Sequence, residues 1–169
     1  MQILQTHYNN LLQNDCILTD PIKSCFSIPK LKKISLAMGG YSTSENCVLS
    51  SIFILEYISG QTPCITCQSS GSVVGAKVTL RKSIMFLFLF KFLFQVLPHL
   101  KSFEGFNGPL SSNTFTFEIK DIFVFKRLSV MFPLFTELQT LKLQFHFTTT
   151  DKYQLDRLGR SFLFCFLTR

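Results

Sequence analysis

Residues 73–82, VVGAKVTLRK, constrain the fold of this chain more than any other stretch, because their side chains alternate in character. In a β-strand, successive side chains point to opposite faces of the sheet. One set is apolar and would pack on a core: Val74, Ala76, Val78 and Leu80. The other set would face outward with two cations and a hydroxyl between them: Lys77, Thr79 and Arg81. The stretch therefore predicts a strand with one buried face and one basic face.

The basic face has two interpretations. Cations beside a hydroxyl, at the spacing of a strand, suit contacts with the phosphates and sugars of a nucleic acid. A charged strand face is, however, more commonly only solvated. This stretch alone does not choose between the two.

Size and charge narrow the class of protein. The chain has 169 residues, which is enough for one compact domain with its own core, and we expect a single domain over residues 1–169. Its net charge of +7 favours a polyanionic partner, either RNA or an anionic membrane surface. The chain has 20 Phe and no Trp, which we interpret as compositional drift in an AT-rich organelle genome.

The remaining periodicities predict an α+β fold. Helical patterns cover residues 1–13, 44–58, 83–97 and 151–166, with Ser44, Ser83 and Asp151 as caps. Strand patterns cover residues 30–38, 62–67, 114–120 and 141–149. Because strands and helices do not alternate regularly, we expect one largely antiparallel sheet with helices packed on one face.

The six cysteines are scattered along the chain, which predicts reduced thiols rather than a disulfide framework. Cys64 and Cys67 have the spacing of metal ligands, but no second such pair or nearby pair of histidines accompanies them. On a strand, residues three apart face opposite sides, which also argues against a shared metal ion. The first fifteen residues carry no Lys or Arg and resemble no targeting peptide. That absence fits synthesis inside an organelle.

Residues 84–97, IMFLFLFKFLFQVL, raise the question of a membrane. A spanning helix needs about 20 apolar residues, and shorter apolar runs are more commonly buried helices. The run is also bounded by Arg81, Lys82 and Pro98 and contains Lys91. We therefore expect a helix buried on several sides and no membrane insertion. A membrane-associated organellar protein anchored through residues 84–97 remains the alternative.

The sequence offers no support for catalysis. His7, His99 and His146 lie in unrelated contexts, and no paired carboxylates, Gly-rich phosphate loop or nucleophile elbow is present. We expect no enzyme activity, no cofactor and no bound metal ion.

Seven segments, taken in order, carry a resemblance to a known family. They are residues 28–40, 59–66, 74–81, 97–106, 114–121, 140–150 and 156–163. The most specific is SGQTPCIT followed by VGAKVTLR. In order and spacing the set resembles the L-five family of large-subunit ribosomal proteins (universal L-five), in a divergent mitochondrial form, from about Asn10 onward. The resemblance implies the ribosomal L-five-like α+β fold and a location in the mitochondrial matrix, within the mitochondrial ribosome.

The resemblance also implies partners and a site. Members of the family hold 5S rRNA on their sheet at the central protuberance and touch nearby large-subunit rRNA. They contact neighbouring large-subunit proteins, small-subunit protein S-thirteen and the P-site tRNA. The polar residues that bind 5S rRNA in the family match Gln61, Thr79 and Arg81 here, and Lys77 joins them from the strand pattern. Gln61 could instead be only a turn residue after Gly60.

This chain departs from the family pattern at five places. Ala37 replaces an Asn that contacts RNA, and the loop at residues 68–72 is shorter and has lost its basic tip, which puts tRNA contact in doubt. Glu104 stands where the family has Arg, and a Gly-Arg-Gly-Asn stretch is reduced to Ser-Ser-Asn before residue 114. Lys126 and Arg127 replace the Pro-Glu of the loop that contacts protein S-thirteen, so that bridge is also in doubt.

We thus expect a structural, RNA-binding protein of a mitochondrial large ribosomal subunit. An RNA-binding assembly factor with the same fold is a further alternative.

Overall fold

The computed structural model describes residues 3–19, 22, 24–39, 45–101, 103, 105–106, 113–125, 128, 140–148 and 151–164. The helices are α1 (Ile3–His7), α2 (Gln13–Thr19), α3 (Glu45–Ser59), α4 (Lys82–Lys91) and α5 (Lys152–Ser161). The strands are β1 (Leu31–Gly39), β2 (Cys64–Cys67), β3 (Val73–Leu80), β4 (Thr114–Ile119) and β5 (Leu141–Phe147). A π-helical turn, Tyr8–Leu12, joins α1 to α2, and another, Phe92–Val96, extends α4.

The strands form one five-stranded sheet in the order β2-β3-β1-β5-β4. The sheet is antiparallel, and the hairpin of β2 and β3 pairs Cys64 with Lys77 and Ile65 with Ala76. The α+β class with a largely antiparallel sheet is therefore confirmed. β5 shows why alternating apolar residues predicted the strands correctly. Its apolar residues are buried and the residues between them are not: Leu141, Leu143, Phe145 and Phe147.

Three helix ends differ from the sequence-based expectation. The N-terminal helical segment continues through the π-helical turn to Thr19 rather than ending near residue 13. α4 begins at Lys82, with Arg81 rather than Ser83 at the N-cap position, and Lys82 has a positive φ of 52° directly after the strand. α5 ends at Ser161 rather than near residue 166, because Leu163 adopts a φ of 65°. The N–H of Leu163 then donates to Arg160 O, and that of Phe164 to Gly159 O, which is the Schellman arrangement. The predicted cap Ser44 lies outside the described residues.

The chain divides into two compact units. The first comprises Met1–Ile34, Arg81–Thr116 and Gln144–Arg169, and the second comprises Ser35–Leu80 and Phe117–Leu143. The expectation of a single domain stays a prediction.

Aromatic rings fill the core of the first unit. Phe106 and Phe145 lie 5.0 and 5.2 Å from Phe164 between ring centroids, and Phe92 lies 5.7 Å from Phe145. The contacts are mostly edge-on or tilted, the geometries that aromatic pairs prefer. The abundance of Phe therefore serves core packing in this unit.

The N-terminal helical segment buries one residue in every four: Leu4, Tyr8, Leu12 and Cys16. The apolar side chains of Ile3 and Leu11 are instead 51% and 55% exposed. The π-helical turn explains the difference, because its wider turn lengthens the repeat beyond the 3.6 residues of an α-helix.

In the second unit, α3 packs on β3. The helix buries Ile54 and Leu55, and the strand buries Ala76, Val78 and Leu80. Ser51 and Ser59 are also buried in α3, and each hydroxyl donates to the carbonyl four residues earlier. Buried hydroxyls need such partners, so these two serines fit an apolar helix face without an unpaired polar group.

The helical stretch Lys82–His99 is 18 residues long and, by length and composition alone, could cross a membrane. The structure buries 44% of its residues inside the protein. The core helix of a soluble protein meets the same criterion, so the finding is weak support for a membrane span. Phe88, Leu89 and Phe92 are among the buried side chains, consistent with a core role.

Candidate nucleic-acid interface

The candidate site begins on β3, where Lys77 is exposed and Thr79 is half-buried. The residues between and beside them, Ala76, Val78 and Leu80, are 0 to 2% exposed. The alternation expected from the sequence is therefore present from Ala76 onward. The apolar face is held in place by the core, so the strand presents Lys77 and Thr79 together on its opposite face.

The alternation fails at Val74, which was expected on the buried face. Thr66 pairs with Gly75 and Cys67 pairs with Val73, so Val74 is an extra residue in β3, and it is only half-buried. Such a bulge bends the strand and strengthens its twist. Sequence periodicity gave no sign of it, because Val suits either face.

Two glycines explain why β1 and β3 come so close beside the bulge. A Cβ on Gly75 would overlap the carbonyl oxygen of Met38 and lie 2.6 Å from Gly39 Cα. A Cβ on Gly39 would lie 2.6 Å from the carbonyl oxygen of Val74. Both positions therefore require glycine for steric reasons, and together they fix β3, with Lys77 and Thr79, against its neighbour.

Gln61 is exposed and follows directly after α3. The hydroxyl of Ser59 lies 2.6 Å from Leu55 O and 3.1 Å from Gln61 O, and it accepts a hydrogen bond of 3.2 Å from Gln61 N. Gly60 completes the turn with a φ of 68°. Sequence reasoning missed Ser59, although it fixes the backbone from which the Gln61 side chain extends.

Arg81 is the residue that follows β3, and it is exposed with extended backbone angles of −141° and 164°. Its carbonyl oxygen accepts a long hydrogen bond of 3.4 Å from Met85 N at the start of α4. Arg81 belongs to the first unit, whereas Gln61, Lys77 and Thr79 belong to the second. The structure thus places Lys77 and Thr79 on the same strand. Arg81 follows that strand in the chain and belongs to the other unit.

The outward side chains of β4 and β5 in the second unit include an ion pair. Lys142 Nζ lies 3.3 Å from Glu118 Oε1, and the two side chains are 52% and 56% exposed. A pair this exposed stabilises by at most about 1 kcal/mol. The carboxylate also reduces the charge that Lys142 can offer a phosphate, which leaves Lys77 the better placed of these two cations.

The loop at residues 68–72 forms a tight turn. Gln68 N donates to Ser72 O and Gly71 N donates to Gln68 O, both at 2.9 Å, and Gly71 adopts a φ of 84°. The turn carries no charged residue. Of the other departures from the family pattern, Ala37 is half-buried on β1, while Glu104, Lys126 and Arg127 lie outside the described residues.

The described part of the chain contains no group of three or more His, Cys, Asp or Glu side chains that could hold a metal ion. Cys64 and Cys67 are free, exposed thiols on β2. The His99 ring forms a local hydrogen bond, with Nδ1 2.8 Å from Gln95 O. Burial raises the pKa of Tyr8 to about 12, but its hydroxyl bonds Pro29 O inside the protein rather than facing a cleft.

Comparison with known proteins gives consistent relatives. The chain is 30% identical over 138 residues to the large ribosomal subunit protein uL5 of Borrelia turicatae (strain 91E135), covering 74% of this chain and 76% of the relative. It is 29% identical over 138 residues, with the same coverage, to uL5 of Borreliella burgdorferi (strain ZS7). It is 30% identical over 115 residues to uL5 of Polynucleobacter necessarius subsp. necessarius (strain STIR1), covering 62% and 64%. No family model matches the chain.

Proposed function

Because this chain belongs to the uL5 family of large ribosomal subunit proteins, we propose that it binds 5S-type and large-subunit rRNA at the central protuberance of a mitochondrial ribosome. Family membership establishes that the protein has a structural role in the large ribosomal subunit and is not an enzyme. The RNA contacts, the place in the subunit and the organelle are the proposal.

One observation supports RNA binding by this chain in particular. β3 places an exposed Lys77 and a half-buried Thr79 on its outward face, while its inward face is fully buried from Ala76 onward. A lysine can neutralise a phosphate, and a threonine hydroxyl can bond a phosphate oxygen or a sugar. Because the packed sheet already fixes the backbone of both residues, RNA binding has only their side chains to order.

Arg81 would supply the strongest single contact. Its planar guanidinium can bond a phosphate through two N–H groups or read a base edge. Gln61, held by Ser59 at the end of α3, would bond sugar or phosphate through its amide. Each phosphate contact also releases counterions, so binding is expected to weaken steeply as salt rises.

Three further partners are proposed from the family resemblance and from the positions where this chain departs from the family pattern. Neighbouring large-subunit proteins would cover exposed apolar side chains such as Leu49, Phe53 and Tyr57 of α3. The tight, uncharged turn at residues 68–72 offers a P-site tRNA no cation, so we expect tRNA contact to be weak. A bridge to small-subunit protein S-thirteen rests on residues 124–137, most of which lie outside the described residues.

Composition supports the mitochondrial part of the proposal. The relatives named above are bacterial, so that part rests on this chain's 20 Phe, its lack of Trp and its divergence from the family at the positions noted above. The coding DNA provides a direct check, since an AT-rich gene is expected and a GC-rich gene would contradict the interpretation.

Replacing Arg81 with glutamate tests the RNA site. Arg81→Glu should lower incorporation of the protein into the large subunit, because it puts a negative charge against RNA. Arg160→Glu is the matched control, since it changes the net charge equally on the exposed face of α5, where Arg160 pairs with Asp156 at 3.0 Å. Gradient sedimentation of tagged variants would measure incorporation. Equal incorporation of the two variants would remove Arg81 from the site.

The apolar helix favours one alternative function, that of a membrane-anchored protein. An anchor through residues 84–97 would use the stretch that, by length and composition, could cross a membrane. Carbonate extraction separates the two functions, because a ribosomal protein leaves the membrane pellet and an inserted helix stays in it. We expect release, and retention in the pellet after nuclease treatment would support the anchor.

A further inference from the structure

Phe26 is an apolar side chain that the proposed function does not explain. It lies between α2 and β1, in the 3-10 turn Cys25–Ser27 of the first unit. Its side chain is 93% exposed, the highest value among the large apolar side chains that the structure describes. Neither the fold nor the β3 site gives a reason for a fully exposed ring.

The turn that carries Phe26 is held at both ends. Ser27 N and Ser27 Oγ donate to Ser24 O at 3.0 and 2.7 Å, and Ser24 N donates to Ser27 Oγ at 3.4 Å. These three bonds join Ser24 to Ser27 across the turn. The exposed ring is thus presented by a defined backbone conformation.

The residues after the turn are tied to the body of the first unit. Tyr8 Oη donates to Pro29 O at 3.1 Å. Lys30 N donates to Thr148 Oγ1, and Thr148 N donates to Lys30 O, both at 3.0 Å. A ring held out on such a support needs little ordering when a ligand binds.

The surrounding sequence is basic. Residues 21–44 contain four lysines and no Asp or Glu. Of these lysines, Lys30 and Lys32 are exposed and Lys33 is half-buried, all in the first unit. An exposed aromatic ring within a segment of purely positive charge fits a polyanion with flat, unpaired rings, which is single-stranded RNA. An apolar protein pocket would not require the lysines.

We propose that Phe26 is a second RNA contact, a stacking site for one unpaired base, with Lys30 and Lys32 contacting the flanking phosphates. This inference rests on the proposed function, since it assumes that the protein binds ribosomal RNA. The site is independent of base identity, because every base offers a flat face to the ring.

A base-deletion experiment tests the stacking. The full chain is titrated with a single-stranded RNA of about eight nucleotides carrying 2-aminopurine at its centre, and with the same RNA lacking that base. The wild type should bind the intact RNA about 5- to 150-fold more tightly than the abasic RNA, which is the range for stacking of one base. Phe26→Ala should bind both RNAs equally.

Conservative variants separate stacking from a general apolar contact. Phe26→Tyr should keep the discrimination because it keeps the ring, and Phe26→Leu should lose it. Leu18→Ala is the matched control, since Leu18 is 83% exposed in the same unit and should have no effect on discrimination. Circular dichroism checks that each variant is folded.

Three results would overturn the inference. They are equal binding of both RNAs by the wild type, continued discrimination by Phe26→Ala, and full discrimination by Phe26→Leu, which would indicate a pocket for any apolar side chain. Each of these leaves the proposed function intact if Arg81→Glu still lowers incorporation into the subunit. Failure of the Arg81 test would instead remove the premise itself.

Discussion

Two buried hydroxyls fix segments of backbone at the scale of single residues. Ser59, 8% exposed, bonds the last turn of α3 and the backbone of Gln61. Tyr8, 6% exposed, bonds Pro29 O from the N-terminal helical segment, while its ring stacks on Phe162 at 5.7 Å. In each case one side chain supplies a partner that the local backbone lacks, and it stabilises a segment that leads to a candidate RNA contact.

Tyr8 should give the protein a pH-dependent stability in alkaline solution. Burial raises its pKa from 10.0 to about 12, so the folded state retains the phenol proton that the unfolded state has lost. This stabilisation is fully present below pH 10 and is lost as pH rises through 12, a change of about 2 to 3 kcal/mol. Urea unfolding of wild type and Tyr8→Phe measures it.

The comparison with Tyr8→Phe isolates this titration from that of the lysines, which lose protons in the same range. The stability difference between the two proteins should change between pH 10 and 12, because the variant has no phenol to ionise at this position. A difference that stays constant with pH would show that the Tyr8 hydroxyl is not buried in solution.

The sequence was enough to predict which residue types form the candidate site. It was not enough to predict the hydrogen bonds that hold their backbone in place. The outward position of Lys77 followed from alternation, because buried Val78 and Leu80 leave it no other face. The role of Ser59 depends on hydrogen bonds across a turn, which no periodicity encodes. Phe26 was missed because a lone Phe in a loop has no pattern, and its exposure is visible only in three dimensions.

At the scale of elements, the contact of β1 with β3 depends on two glycines. The sequence located both strands and the α+β class, since their apolar residues alternate clearly. It did not locate the bulge at Val74 or the π-helical turns, because these depend on where neighbouring backbones meet. Helix ends were also misplaced where Lys82 and Leu163 adopt positive φ angles, which residues of these types rarely do.

Gly75→Ala should therefore destabilise the second unit. The new methyl group would overlap Met38 O and lie 2.6 Å from Gly39 Cα, and only a backbone shift of β1 or β3 can relieve this. We expect a loss of about 2 kcal/mol or more in the free energy of unfolding, measured by urea denaturation. Lys77 and Thr79 would move with β3, so RNA affinity should fall as well.

Gly71→Ala is the control for this prediction. Gly71 has a φ of 84°, and a Cβ added there would have no neighbouring atom within 4 Å, so the substitution adds backbone strain without a clash. It should cost about 1 kcal/mol and leave the register of β3 unchanged. If the two alanine variants were equally stable, the close approach of β1 and β3 would not hold in solution.

At the scale of the whole molecule, composition and charge have separate roles. Phe supplies the interlocking core of the first unit, and the net charge of +7 supplies attraction to a polyanion. Family and fold class were both accessible from the sequence, because the order of seven short segments is more specific than any one of them. The contacts with protein S-thirteen and tRNA were not, since the residues that would make them have changed from the family pattern or lie outside the described residues.

We have proposed that the outward face of β3 and the residue after it bind ribosomal RNA. A density map of the native large subunit at side-chain resolution tests this most directly. We expect phosphate, sugar or base atoms within hydrogen-bond distance, about 3.5 Å or less, of Lys77, Thr79 and Arg81. A map in which these three side chains face protein or open solvent would contradict it.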